Sequence, residues 1–309
     1  MIAIEDRIAG GLWGLLVADA CGVPYEFRQP DELPPREQID MVPPQGFVRT
    51  YSHVPLGTWS DDGAQALCLL ASLLDRGQLD LADFGQRLQA WLRQGYMAVG
   101  HQVFDVGNQT SLALQRLQQG LPPSQSGLRG ERNNGNGSLM RALPLTLWHQ
   151  GDDATLVRDA HLQSLVTHAH PRAQVCCALY CLWARAELAE QAEPWGWAVQ
   201  RLRELYANHP IYLDELTQEV LPFGAPGGSG YVVDCLHSAR AACAEETYAA
   251  VVRAAIALGY DTDTTACVAG GIAGIRHGLT GIPEVWRQML RGPELFEDLL
   301  SQLVATCGL

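Results

Sequence analysis

Apolar residues recur at three- and four-residue spacing along most of the chain, which marks amphipathic helix and not alternating strand. Residues 5 to 20 predict a first helix, with Ile8, Leu12, Leu15 and Leu16 on one face and Gly22 and Pro24 ending it. A second follows Gly57-Thr58-Trp59-Ser60-Asp61-Asp62-Gly63, carrying Ala66, Leu67, Leu69, Leu70, Leu73 and Leu74 at helical spacing. Leu79 to Met97 and Asn108 to Leu117 give two more. Further helices are predicted from about Leu139, Asp153, Arg172, Pro194, Pro210, Tyr231 and Glu245, and the last two open at Pro283 and Pro293. The prolines suit first-turn positions, where no backbone N–H is needed. Strict alternation is scarce and no βαβ rhythm appears, so the expected fold is all-α, one compact domain over residues 1–309.

One more predicted helix follows Asp261-Thr262-Asp263-Thr264-Thr265, where Ala266, Gly270, Ala273 and Gly274 leave a face almost without side-chain bulk. Helical glycine costs roughly 1 kcal/mol against alanine, so close packing against another helix is expected to offset it. Three irregular stretches, Arg28 to Gly57, Gly120 to Gly137 and Leu221 to Gly230, lack any period. Loops of such length inside a domain are commonly functional.

Composition changes the picture only at the margins. A net charge of −13 argues against a nucleic-acid or anionic-membrane partner and is compatible with cations. The N-terminus lacks a basic segment followed by an apolar run, so no secretory signal is expected, nor any apolar stretch of membrane-spanning length. Nine cysteines without CxxC or zinc spacing read as buried free thiols of a cytoplasmic protein. Oligomeric state is not written in the pattern, and a monomer is the default.

The candidate chemistry lies in two acidic turns about 200 residues apart, Ser60-Asp61-Asp62 and Asp261-Thr262-Asp263-Thr264, each at a helix start. N-capping accounts for either turn alone, because Ser, Thr and Asp are the preferred caps and carboxylates complement the helix dipole. Together they hold more acids than caps can use. If the turns face each other, four carboxylates crowd together and cannot all stay ionised unaided. A divalent cation, or a pair of them, removes that conflict, and all-oxygen ligation suits magnesium or manganese but not zinc.

The segments together resemble the ADP-ribosylglycohydrolase family, which includes the dinitrogenase reductase-activating glycohydrolase. Patterns of the form G-D-A-x-G-x-P-x-E, T/S-D-D-T, G-N-G-x-x-M-R-x-x-P, T-H-x-H-P and G-x-D-T-D-T/S-x-A have counterparts in the same order. These are Asp19 to Glu26, Ser60 to Asp62, Gly135 to Pro144, Thr167 to Pro171 and Gly259 to Ala266. Asp105-Val106-Gly107 followed by Thr110 looks like a further family segment. The resemblance covers nearly the whole chain. It implies an orthogonal helical fold with a binuclear Mg²⁺ or Mn²⁺ centre that hydrolyses the bond between ADP-ribose and a modified protein or small molecule.

By position, the resemblance makes Ser60, Asp61 and Asp62 ligands of one metal, and Asp261, Asp263 and Thr264 ligands of the other, with Asp263 as the bridge. Glu26 matches a glutamate near metals and substrate. Gly135, Asn136, Gly137 and Ser138 match a phosphate-side loop, whose backbone N–H groups suit a diphosphate. His168 matches a position near the adenosine, and Asp105 and Gly107 belong with the substrate residues. Vicinal ribose hydroxyls can ligate hard cations, setting the anomeric carbon for attack by water through an oxocarbenium-like transition state. Asp61 or Asp62 is the candidate to orient that water, and Glu26 an alternative acid or base. Gly63 stands where the family has threonine, which takes away a hydroxyl beside one metal and is expected to weaken it. Ala18 replaces a glycine, a small change expected to be tolerated; with all six ligands present a working site is expected. Two other readings stay open: a silent ADP-ribose-binding or structural protein on the same fold, and a two-metal phosphoesterase. Arginine is the expected linkage.

Overall fold

The computed structural model describes residues 2–222 and 224–307, and helix is the regular element throughout. Among those residues no strand forms; two isolated bridges pair Leu128 with His168 and Gly135 with Tyr231. The first five helices are α1 (Ile4–Gly22), α2 (Asp61–Arg76), α3 (Leu81–Gln94), α4 (Asn108–Gln118) and α5 (Pro123–Ser126). Then come α6 (Leu143–Trp148), α7 (Asp153–Leu165), α8 (Pro171–Leu188), α9 (Pro194–Leu205) and α10 (Pro210–Asp214). The last are α11 (Val232–Ala242), α12 (Tyr248–Ile256), α13 (Thr262–His277), α14 (Glu284–Met289) and α15 (Glu297–Cys307).

The fold is built on α1 and α13, which run antiparallel with their backbones in contact. A Cβ added at Gly10 would strike Gly274 O, and one at Gly14 would strike Gly270 O. In the other direction, Gly270 meets Ala18 Cβ and Gly274 meets Gly10 O. The small face of α13 therefore has its partner, and the partner contributes small residues of its own. At the far end of the pair Gly22 lies against the Asp263 backbone, and Thr262 Oγ1 donates to Gly22 O at 2.9 Å. Buried tyrosines lock the pair from the side: Tyr248 OH donates to Gly14 O at 2.7 Å and Tyr180 OH to Val268 O at 3.0 Å.

Several boundaries differ from the sequence reading. Leu139 opens no helix, because Leu139 and Met140 turn their N–H groups onto Asn136 O and α6 starts only at Leu143. The helix expected from Glu245 begins at Tyr248, after Thr247 caps the Ala250 N–H. Pro293 opens a single 3₁₀ turn, and α15 follows from Glu297. The helix from Pro210 passes into a π-turn over Glu215–Val220. Contrary to expectation, Ile4–Tyr25 is long and apolar enough to cross a membrane by length and composition, but 94% of that window is buried inside the fold. It is a core helix. Eight cysteines, from Cys21 to Cys267, are buried free thiols; the ninth, Cys307, falls outside the described side chains.

The helix pair predicts contrasting glycine substitutions. Gly274→Val forces the two backbones apart and costs at least ~3 kcal/mol. Gly85→Ala, whose Cβ would meet only Leu117 and Pro123 side chains at 3.5 Å or more, stabilises by up to ~1 kcal/mol. Chemical denaturation compares the two, and equal effects contradict the packing argument.

Candidate active site

The first acidic turn is set by a residue from α1. Asp19, fully buried, accepts the Ser60 N–H at 2.9 Å and the Gly63 N–H at 2.8 Å. It thereby satisfies donors of the first turn of α2 that would otherwise be orphaned. Ser60 is the N-cap, its Oγ accepting from Asp62 N at 3.3 Å. Burial, partly countered by those N–H donors, pushes the Asp19 carboxyl up to about 7. Gly63 has no room for a side chain: a Cβ would lie 2.8 Å from both Trp59 Cγ and Leu16 Cδ2.

The second turn enters α13 through Gly259 and Tyr260, both left-handed, with φ of 77° and 58°. Two backbone bonds tie Tyr260 to the segment after Glu26: Phe27 N donates to Tyr260 O and Tyr260 N to Arg28 O, each at 2.6 Å. Asp261 makes no side-chain cap to α13. Its Oδ2 instead accepts from Asn136 Nδ2 at 2.9 Å, and its N–H donates to Gly228 O at 3.0 Å. Asp263 Oδ1 accepts the Thr264 N–H at 2.8 Å. Thr264 Oγ1 reaches across to Asp62 Oδ1 at 3.4 Å, so the two distant turns meet.

Glu26 and Asp105 complete the cluster; a carboxylate oxygen from each and one from Asp263 all lie within 4.8 Å of one another. Three buried carboxylate oxygens, Glu26 Oε2, Asp62 Oδ2 and Asp263 Oδ2, have no hydrogen-bond partner. Buried charges without partners are costly, and the pressure shows in the titration. Burial, then Asp263, holds Asp62 well above the ordinary carboxylate range. Burial, then Asp105, does the same for Asp263, and burial, then Asp263, for Glu26. Orphaned, mutually repelling hard oxygens in one place fit hard divalent cations. Among the described residues no histidine or thiolate joins the cluster.

The cluster lies in a cleft of about 530 Å³. Glu26, Asp61, Asp62, Asp105, Gly107, Gly135, Asn136, Gly137, His168, Asp261 and Thr264 line it, as does Phe27. Ser60 and Asp263 sit behind that surface, each almost wholly buried. Ser138 does not line the cleft: its Oγ lies 2.8 Å from Ser164 Oγ and 3.4 Å from Cys177 Sγ. The sequence reading grouped it with its loop neighbours, but the chain turns inward there. The Leu221 to Gly230 loop reaches the cleft through Gly230; Phe223 lies outside the described residues.

Sequence reasoning missed the supports. Asp61 Oδ2 accepts from Gln65 Nε2 at 2.8 Å, and Asp105 Oδ1 from Tyr51 OH at 2.8 Å. Gln65 follows Asp61 by four residues, which was a readable signal; Tyr51, inside an irregular loop, offered none. Asp234 accepts from Gly227 N at 2.7 Å and Ser229 N at 2.9 Å, holding the loop whose carbonyls receive Asp261 N and Asn136 N.

An all-α chain that brings paired acidic turns and a glycine-rich loop to one cleft defines a hydrolase of the ADP-ribosylglycohydrolase class. The chain belongs to that family, matching it over residues 1–309. It is 30% identical to the ADP-ribosylarginine hydrolase Tri1 of Pseudomonas putida, over 96% of this chain and 78% of that protein. It is 27% identical to the ADP-ribosyl-[dinitrogen reductase] glycohydrolase of Rhodospirillum rubrum, over 93% and 91%. A solved structure titled ADP-ribosylglycohydrolase-related protein complex superposes with a TM-score of 0.73 at 28% identity, over 99% and 98% of the two chains.

The raised carboxyls predict how stability follows pH. A carboxyl with a raised folded value stabilises the fold below its unfolded value, near 4, and that contribution is lost as pH rises through the folded value, about 7 for Asp19. Cation-free protein therefore loses stability from about pH 4 upward through neutrality. A divalent cation held by the cluster would substitute for the missing protons, so added Mg²⁺ or Mn²⁺ is expected to raise Tm more at pH 8 than at pH 5. Thermal melts with metal or with EDTA across this range measure the difference; an equal or larger gain at pH 5 contradicts it.

Proposed function

We propose that the protein hydrolyses the bond between ADP-ribose and an arginine side chain of a modified protein, using a pair of Mg²⁺ or Mn²⁺ ions. The observation that carries this is the trio of buried, unpartnered carboxylate oxygens at the floor of the cleft and just behind it. Asp61, Asp62 and Ser60 would hold one ion, and Asp261, Asp263 and Thr264 the other. When bound, such ions supply Lewis acidity and a place for vicinal ribose hydroxyls. Asp62, with one oxygen uncommitted, is placed to orient the attacking water, and Asp61 beside it is fixed by Gln65. Water oxygen joins the anomeric carbon as the carbon–nitrogen bond breaks, the water passing its proton to Asp62 while the departing guanidine nitrogen takes one. Glu26 is the candidate to give it, since burial and then the neighbouring Asp263 raise its carboxyl above the ordinary range. The turn at Gly135–Gly137 and His168 receive the nucleotide part.

Two features favour arginine as the leaving group. The Tri1 hydrolases of Pseudomonas putida and Serratia proteamaculans, each 30% identical over 304 residues, carry that linkage in their names. Next to Glu26, Phe27 holds a left-handed backbone, φ 60°, with 60% of its surface exposed at the cleft. A bulky residue in that conformation is a real outlier, and an exposed ring, packed on Tyr51 at the rim of a cleft lined by carboxylates, suits a guanidinium.

Incubated with a protein carrying ADP-ribose on arginine, the enzyme releases intact ADP-ribose in Mg²⁺ or Mn²⁺ and none in EDTA. Asp62→Asn and Asp263→Asn each reduce the rate at least ~100-fold while remaining folded. Binding of ADP-ribose without release points instead to a silent binding protein, and release of AMP to a phosphoesterase.

Phe27→Asn keeps a residue that tolerates the left-handed backbone but removes the ring. It lowers kcat/KM on the arginine linkage by ~5-fold, the value of about 1 kcal/mol of cation–π attraction, and leaves a neutral serine linkage unaffected. Equal losses on both linkages remove Phe27 from leaving-group recognition.

A further inference from the structure

One buried cation stands behind the cleft, and its hydrogen bonds run outward in two directions. The Arg141 guanidinium is fully buried, 5.1 Å above the Phe84 ring. Burial lowers it to about 10, still charged near neutral pH. Its Nη1 donates to Gln65 Oε1 at 2.9 Å, Nε to Gln163 Oε1 at 3.1 Å, and Nη2 to Gln163 O at 3.1 Å and to Thr167 Oγ1 at 2.8 Å. A guanidinium can only donate. Each atom facing it is therefore an acceptor, which orients the amide or hydroxyl that carries it.

Toward the metal side, Gln65 Oε1 is committed to Arg141, so the Gln65 amide presents its NH₂ to Asp61 Oδ2 at 2.8 Å. Toward the nucleotide side, Thr167 Oγ1 accepts from Arg141 and stands 2.7 Å from His168 Nδ1. Thr167 is fully buried, and among the described residues His168 Nδ1 is the one acceptor within reach of its hydroxyl proton, so Nδ1 is assigned as the bare, accepting nitrogen. Burial, with the Arg141 charge adding to it, brings the His168 imidazolium down to about 3, so the ring is neutral. A neutral ring with Nδ1 bare carries its proton on Nε2. That nitrogen borders the cleft wall: a Cβ on Gly137 would lie 3.2 Å from it, and one on Gly135 3.5 Å. The ring is held in place by its backbone, His168 N donating to Ser164 O at 2.7 Å and Ser164 Oγ to His168 O at 2.7 Å.

We propose that Arg141 is a positioning residue which, through Thr167, fixes His168 as the Nε2–H tautomer, so that the cleft offers a neutral donor to an acceptor oxygen of the ligand beside the Gly135–Gly137 turn. A phosphate oxygen is the acceptor of the right chemistry at a glycine-rich turn. The neutral donor recognises it without bringing a second positive charge toward the metal side. Thr167 is the part of this chain that can be tested separately, since Arg141 is fully buried and supports Gln163 as well. The ligand assignment rests on the reading of the cleft as an ADP-ribose site; the tautomer does not.

The experiment is ¹⁵N NMR of the full-length, histidine-labelled protein in Mg²⁺, with His168→Gln to assign the resonances, alongside calorimetric titration with ADP-ribose. The wild type is expected to show a pyridine-type Nδ1 and a pyrrole-type Nε2 at His168. Thr167→Val mixes the tautomers and weakens ADP-ribose binding ~10-fold, the loss of one hydrogen bond to a charged group. Thr167→Ser restores both readouts, which separates polarity from packing. A wild-type His168 protonated at Nδ1, or a Thr167→Val protein with spectrum or affinity unchanged, overturns the proposal. If Thr167→Val does not fold, the wild-type and Thr167→Ser spectra decide the tautomer. Failure of the wild type to bind ADP-ribose counts against the assigned ligand and leaves the nitrogen pattern to judge the positioning chain.

Discussion

Everything in the site depends on α1 and α13 touching backbone to backbone. Ordinary side chains hold helix axes 8–10 Å apart, and the glycines at 10, 14, 270 and 274 allow a closer approach that no Cβ would permit. Such contact leaves little freedom for sliding or rotation, because each glycine is matched to a specific atom opposite. The end of α1 and the start of α13 are therefore fixed against each other, and the residues needed for chemistry sit at that end. Asp19 is one turn from the C-terminus of α1, and Asp261, Asp263 and Thr264 open α13. Asp19 then carries the register to α2 by holding the Ser60 and Gly63 N–H groups. Two turns about 200 residues apart in sequence become neighbours through one helix contact and one carboxylate.

The same arrangement accumulates a problem. The carboxylates are held by neutral donors, Gln65, Asn136, Tyr51, a threonine hydroxyl and backbone N–H groups, and not by cationic side chains. Arg141, the buried cation behind the cleft, is kept one glutamine away from Asp61. A direct ion pair there would neutralise the acid and fill its lone pairs. Neutral donors orient the oxygens and leave their charge available. Such a cluster is destabilising by itself, and the helix contact beneath it explains how the fold tolerates it: the strain is concentrated where the backbone is least able to yield.

The helices were legible because an all-α core writes its burial as a 3.6-residue period, and the small face of α13 was legible because Ala266, Gly270, Ala273 and Gly274 repeat at that spacing. The meeting of the two acidic turns was suggested by surplus acids, more than two caps can use. What stayed hidden has a common cause. Ser138 was assigned by its neighbours in a loop, and a loop has no period to say which side chain turns inward. Tyr51 and Asp234 act through contacts made across loops, and Arg141, although a fixed position of the G-N-G-x-x-M-R-x-x-P pattern, carries no local sign that it turns inward to orient a glutamine. The hydropathy of α1 gave a different difficulty, since a helix buried on all sides reads like a membrane segment until its neighbours are known.

Gly63 shows how a departure from a family pattern is resolved by structure. From the sequence, the missing threonine hydroxyl looks like a weakened metal site. In the structure the glycine serves the backbone, since its N–H goes to Asp19 and the space a side chain would need is taken by the Trp59 ring and Leu16. Trp59 is itself anchored, its Nε1 donating to Met97 O at 3.0 Å, and it packs edge-on against Phe296 of the C-terminal segment. Restoring the threonine alone would therefore displace a seated tryptophan and disturb the N–H that sets the Asp61–Asp62 turn. The glycine is paired with Trp59, and the pair preserves the backbone geometry on which the carboxylates depend.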